Sequence, residues 1–258
     1  MMRVTSKNYY SQEANQAYFS VSQIKSFMEC PARTMAELRG EWHRPVTKAL
    51  LVGSYVDSYF EGTLDQFKAA HPECYKRDGE LKAEYLQADA MIITAETDPM
   101  FMEYMKGRKQ VIRTGKVFGF PFKIKMDVNH PQRIVDLKTV ANFKPVYKPG
   151  KGRMNFVEAW GYTLQGAIYQ AVEGHDKPFY INAITKEDIP DIATIHVEQP
   201  YLDAELAVIK GKLPYFDAIK TGTIEPPRCE HCAYCKSTRR LTHVMTLEEF
   251  ELMYFEED

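Results

Sequence analysis

The sequence has no run of about 18 apolar residues, the length a membrane-crossing helix needs, and its opening stretch, MMRVTSKNYYSQEANQ, holds no apolar core of the kind that directs export. The expectation is a cytoplasmic protein with no membrane contact. Internal repeats and low-complexity segments are absent. So is Gly-x-x-x-x-Gly-Lys-[Ser/Thr], which excludes a phosphate-loop ATP motor. Cysteine is scarce, and three of the five crowd into Cys229, Cys232 and Cys235, a usage that suits ligands in a reducing compartment better than disulfide bridges. What is present is a globular mixture, 45% hydrophobic and 26% charged over 258 residues. A chain of this size can bury roughly 70–75% of its unfolded surface in one domain, so the thiols are not needed merely to hold it folded.

The net charge of −2 hides a segregation. Residues 106–153 carry 13 basic side chains against two acids, Asp127 and Asp136, which leaves about +11 there and about −13 on the rest of the chain. A local field of that sign attracts phosphates even on a slightly acidic protein.

Periodicity predicts helices, then strands, then both. Ser20 with Gln23 three residues on marks a helix entry, and Pro31 breaks or restarts that helix. Residues 47–60 are apolar all round and predict a buried helix closed by Gly62, with Gly53 and Asp57 on one face. Helices are also predicted over 80–94 and 99–105. From Gly107 the period becomes alternating, giving three strands over 110–118, 120–129 and 133–140, a meander that carries the basic segment. A helix over 155–173, strands over 179–185 and 192–197, and a helix over 202–220 follow. The fold class is mixed, α/β (α+β), with a central mixed sheet containing an antiparallel meander and flanked by helices.

Within the meander, Asp136 and Lys138 are two apart and share a strand face, while Leu137 points the other way. A hairpin would set Asp127 close to Asp136. Two adjacent carboxylates stay ionised at neutral pH most readily around a hard cation such as Mg²⁺. Such a cation polarises a phosphoryl oxygen, and a neighbouring lysine offsets developing charge, which is chemistry suited to phosphodiester hydrolysis.

On these residues the chain resembles the PD-(D/E)xK nuclease superfamily, and within it the RecB-like and exonuclease VIII-like (RecE-type) phage recombination exonucleases. The matching pieces are YFSVSQIKSFMECPARTMAEL, ALLVGSYVDSYFEG, GFPFKIKMDV, RIVDLKTV and WGYTLQGAIYQAV. The resemblance implies a single domain spanning 1–258 with a restriction-endonuclease-like core, N-terminal helices over about 20–105 and a cysteine segment over about 225–240. It implies metal-ligating carboxylates at Asp127 and Asp136, a further ligand in the Leu137 backbone carbonyl, and a catalytic lysine at Lys138. Gly53 to Asp57 resembles a Gly-x-x-x-His helix motif with aspartate in place of the histidine ligand, a harder donor that still suits Mg²⁺ or Mn²⁺. Gln165 and Tyr169, four apart on one helix face, resemble a Gln-x-x-x-Tyr motif that supports the active site and contacts the DNA backbone. Lys123, Lys125 and Lys186 are further candidates for DNA contact.

Cys30 stands where iron–sulfur relatives supply a first cysteine, so the resemblance implies a 4Fe-4S cluster on Cys30, Cys229, Cys232 and Cys235. Zinc on the same thiolates, or with His231 replacing one, is the competing reading, and Cys74 is expected to be a plain thiol. The implied function is a Mg²⁺-dependent exonuclease acting on DNA duplex ends, 5'-to-3', and making single strands for a recombination annealing protein, in a bacterial or phage setting. Related enzymes often thread DNA through a homo-oligomeric ring. The alternatives are an iron–sulfur nuclease of the CRISPR-adaptation type that trims DNA ends and a non-catalytic DNA-binding module. The acidic tail, from Glu248 and Glu249 through Glu256, Glu257 and Asp258, is expected to be a solvated terminus, with contact to a partner as the alternative.

Overall fold

The computed structural model describes residues 2–174, 177–241 and 243–255; the last three acids lie outside them. A short helix α1 (Gln12–Ala17) precedes α2 (Val21–Glu29), which begins at the predicted cap: the Ser20 hydroxyl accepts from the Gln23 amide at 3.3 Å. Pro31 restarts the chain as α3 (Pro31–Arg39), with Cys30 as its N-cap. Next come α4 (Lys48–Glu61), ended by Gly62 as expected, then α5 (Leu64–Ala70), α6 (Ala83–Thr97) and α7 (Pro99–Tyr104). The three predicted meander strands follow as β1 (Arg108–Val117), β2 (Phe120–His130) and β3 (Arg133–Val140). A small hairpin, β4 (Val146–Lys148) and β5 (Gly152–Met154), leads to α8 (Phe156–Ala159) and α9 (Tyr162–Glu173). The chain continues through β6 (Phe179–Thr185), β7 (Ile192–Val197), α10 (Gln199–Lys220), α11 (Ala233–Ser237) and α12 (Leu247–Phe255).

The main sheet has the order β1-β2-β3-β6-β7. Only β3 and β6 run parallel, and their crossover is made through α9, as a parallel pair requires. Helices cover both faces. On one, α2, α9 and α10 bury Phe27, Ile168 and Phe216 against Phe122, Ile124 and Phe179. On the other, α4, α6 and α7 bury Tyr55, Met91 and Phe101 against Val128, Val135 and Leu137. This two-sided burial accounts for the dense apolar reading of β3 and makes its one buried carboxylate conspicuous.

Two expectations are corrected. The helix predicted over 155–173 is two helices, parted at Trp160 and at Gly161, whose φ of 61° is one that side-chain-bearing residues rarely adopt. Helix α4 is buried on one face only; Leu50 is 58% exposed. The hairpin β4–β5 and the helices α1 and α5 were not foreseen. Cys74 is a fully buried core thiol.

Candidate active site

The β2–β3 ladder runs only from His130↔Arg133 to Val128↔Val135. One step further Asp127 and Asp136 would stand opposite each other, and there the strands part. The Leu137 amide faces the gap and donates to Asp127 Oδ2 at 3.0 Å, so a carboxylate bridges the opening. Asp127 Oδ1 takes a second bond from Gln110 Nε2 at 3.3 Å. Gln110 drops out of the β1–β2 ladder between Lys109↔Val128 and Val111↔Met126 without shifting the register, and its φ of 51° is a strained conformation inside a strand.

Asp136 is 1% exposed. Its Oδ1 accepts from Gln165 Nε2 at 2.6 Å, and the same nitrogen lies 3.0 Å from the Tyr169 hydroxyl, which donates to the Lys125 carbonyl at 2.7 Å. The pair on α9 therefore ties β3 to β2 across their divergence. Asp136 Oδ2 is in ion-pair contact with Lys138 Nζ, which also donates to the Leu137 carbonyl at 3.2 Å. Fully buried, Oδ2 accepts no well-directed hydrogen bond.

Asp57 arrives from α4. A Cβ at Gly53 would stand 3.0 Å from Thr139 Oγ1, so α4 lies this close to β3 because residue 53 has no side chain. One turn on, Asp57 joins Asp127 and Asp136 in lining an open cleft of about 510 Å³ that also takes in Glu61, Lys138 and Tyr10.

The acids outnumber the charge available to them. Burial pushes the Asp136 carboxyl up to about 7, with Lys138 opposing and Asp127 reinforcing the shift. Burial and then the Asp127 charge hold Asp57 well above the ordinary carboxyl range, and the same order of causes raises Glu61, with Lys125 opposing. Burial disfavours the Lys138 ammonium, but Asp136 and Asp127 outweigh it and raise its pKa. Lys138 thus offers positive charge rather than a base.

These residues fit a hard divalent cation. The donors are carboxylate and carbonyl oxygens, one buried oxygen is left without a hydrogen bond, and the Lys138 ammonium already bridges Asp136 Oδ2 and the Leu137 carbonyl as a cation would. With that ammonium in the seat the carboxylates do not converge on one point. Among the described residues, the four cysteines are the sole group of three or more ligand-type side chains within 4.8 Å of one another.

The remaining sequence candidates are placed unequally. Lys125 is half-buried beside the cleft, its ammonium 5.6 Å from the centre of the Tyr10 ring. Lys186 donates to the Ala49 carbonyl at 2.8 Å and so holds the start of α4. Lys123 departs from its expected role in DNA contact: it is 1% exposed, and its ammonium donates to the Tyr9 carbonyl and to Asn15 Oδ1. The N-terminal turn at Tyr9 and helix α1 lie over it, so the lysine secures the N-terminal segment. Cys30 comes together with Cys229, Cys232 and Cys235, its Sγ 3.6 Å from that of Cys235.

Gln110, Glu61 and Lys25 were not foreseen. Glu61 follows Asp57 by one helical turn, a spacing that was readable. Lys25 donates to the Trp160 carbonyl at 2.8 Å, and burial, then Lys138, lowers it to about 8.

A parted β2–β3 pair bearing Asp127, Asp136 and Lys138, within a helix-flanked mixed sheet, defines a member of the PD-(D/E)xK nuclease superfamily with a restriction-endonuclease-like fold. Residues 20–238 match the family described as "PDDEXK-like domain of unknown function (DUF3799)", and the chain belongs to that family. The chain is also similar to the crystal structure of a "Putative exonuclease" from Eubacterium rectale, at 44% identity over 97% of this chain and 98% of that one, with a TM-score of 0.93. A second solved structure, SSO0001, is 15% identical over 85% of this chain and 83% of that one, and its TM-score of 0.36 carries no weight for the fold. Among curated proteins none matches.

Proposed function

We propose that the chain is a Mg²⁺- or Mn²⁺-dependent deoxyribonuclease that hydrolyses phosphodiester bonds at DNA duplex ends. The observation that carries this is the Gln165–Asp136–Lys138 arrangement at the mouth of the strand opening, a buried carboxylate held on one oxygen and facing a cation seat with the other. The similarity to the structure described as a "Putative exonuclease" supports the exonucleolytic mode. Digestion 5'-to-3' and the supply of single strands for recombination rest on the resemblance to exonuclease VIII-like enzymes.

Asp57, Asp127, Asp136 and the Leu137 carbonyl would hold the cation, which when bound polarises a phosphoryl oxygen and acidifies water. Gln165 fixes the Asp136 carboxylate, and Gln110 with the Leu137 amide fixes Asp127. Lys138, released from the seat, places its charge beside the developing phosphorane oxygens. Lys125 and Tyr10, beside the cleft, supply a phosphate contact and an exposed ring on which a base can stack.

The test uses duplex DNA labelled at either the 5' or the 3' end, with Mg²⁺, for the wild type and Lys138→Ala. Cleavage by the wild type and a loss of about 10²–10³-fold in the variant, with DNA binding kept, is the expected result. Binding without cleavage by either protein, with Mg²⁺ or Mn²⁺, would leave a non-catalytic DNA-binding module instead.

A further inference from the structure

We propose that Cys30, Cys229, Cys232 and Cys235 hold one tetrahedral zinc ion and not the 4Fe-4S cluster that the resemblance implies. The geometry decides between them. In a zinc tetrathiolate the Zn–S bonds of about 2.3 Å set sulfur–sulfur separations near 3.8 Å. Here Sγ of Cys30 and Cys235 are 3.6 Å apart, Sγ of Cys229 and Cys235 are 3.9 Å apart, and all four lie within 4.8 Å of one another. A cubane needs its four cysteines on four different irons around an eight-atom core, and thiols this close leave no room for it. The separations also far exceed a disulfide's roughly 2.05 Å.

The surroundings are those of thiolate ligands. Main-chain amides point at three of the sulfurs: Arg33 at Cys30 (3.5 Å), Cys232 at Cys229 (3.3 Å) and Cys235 at Cys232 (3.5 Å). The Arg228 guanidinium, paired with Glu230 at 2.7 Å, also donates to the Cys235 carbonyl at 2.7 Å and so fixes the Cys235 backbone beside the centre. Among the described residues no carboxylate or histidine joins the cluster, and all four ligands are protein sulfurs with Cys30 and Cys235 fully buried, so the centre is closed and structural. It would fasten the C-terminal segment to the α2–α3 junction, where the Ala32 amide also donates to the Pro227 carbonyl at 3.0 Å.

The full chain, produced with both iron and zinc supplied and purified without oxygen, is tested by elemental analysis, acid-labile sulfide and visible absorption. About one zinc per chain, no sulfide and no band near 400 nm is expected. Iron and sulfide in fourfold stoichiometry with that band would overturn the assignment, and so would metal-free protein with freely titrating thiols. Cobalt in place of zinc should give the intense visible bands of a tetrahedral thiolate site. Cys229→Ser should abolish zinc retention, whereas Cys74→Ser, remote from the cluster, should keep the stoichiometry; equal retention by both refutes the ligand set.

Discussion

Replacing Gln165 with leucine removes the 2.6 Å bond to Asp136 Oδ1 while nearly preserving side-chain volume. A hydrogen bond to a buried charged group contributes roughly 1.5–3 kcal/mol. At about 1.4 kcal/mol per pKa unit, its loss raises the Asp136 carboxyl, already at about 7, by roughly one to two units. At neutral pH the variant must then lose a proton before it can take a cation, and affinity for Mg²⁺ should fall by about 10–100-fold, the usual cost of removing a partner that orients a metal ligand. Cleavage rates measured from pH 6 to 10 at limiting Mg²⁺ should show the acidic limb moved up by one to two units, with activity recovering at higher pH or higher Mg²⁺. Stability follows the same sign. Because folding raises this carboxyl, the metal-free protein has its full contribution below the unfolded pKa near 3.8 and loses it as pH climbs through about 7. Gln165→Leu should extend that loss to higher pH. An unchanged pH profile and Mg²⁺ affinity would refute the positioning role.

Other perturbations separate site from scaffold. A Cβ on Gly166 would meet the Phe179 ring at 2.4–2.8 Å, so Gly166→Ala should cost about 1–3 kcal/mol and lower Tm by several degrees in a thermal melt. Lys125→Ala should reduce the slope of log affinity against log salt for duplex DNA by about one, as loss of a phosphate contact does. Lys123→Ala should leave that slope unchanged and instead lower the denaturation midpoint, because its acceptors, the Tyr9 carbonyl and Asn15 Oδ1, tie the N-terminal segment to β2.

Periodicity located β1, β2, β3, β6 and β7 within two residues of their observed ends, because each is bounded by turn residues and packs an apolar face. It also identified the entries at Ser20, Pro31 and Thr47, where capping chemistry is local. The break at Gly161 stayed hidden because the apolar spacing of α8 continues in step into α9. Strands of three residues, such as β4 and β5, are too short to show a period. The acids were legible as a pair, but not the parting of β2 from β3, where the Asp127 carboxylate takes the Leu137 amide in place of a ladder partner. Lys123 was misread because alternation places it on the same strand face as Asp127, and what covers that face comes from residues more than a hundred positions away.

The cation seat itself is most directly tested by titrating Mn²⁺ into the metal-free cleft and following free ion by electron paramagnetic resonance, for the wild type and an Asp127→Asn/Asp136→Asn double variant. Saturable Mn²⁺ binding that Mg²⁺ displaces, and that the double variant loses, is the predicted result. Equal Mn²⁺ uptake by both proteins, or none by the wild type, would contradict it.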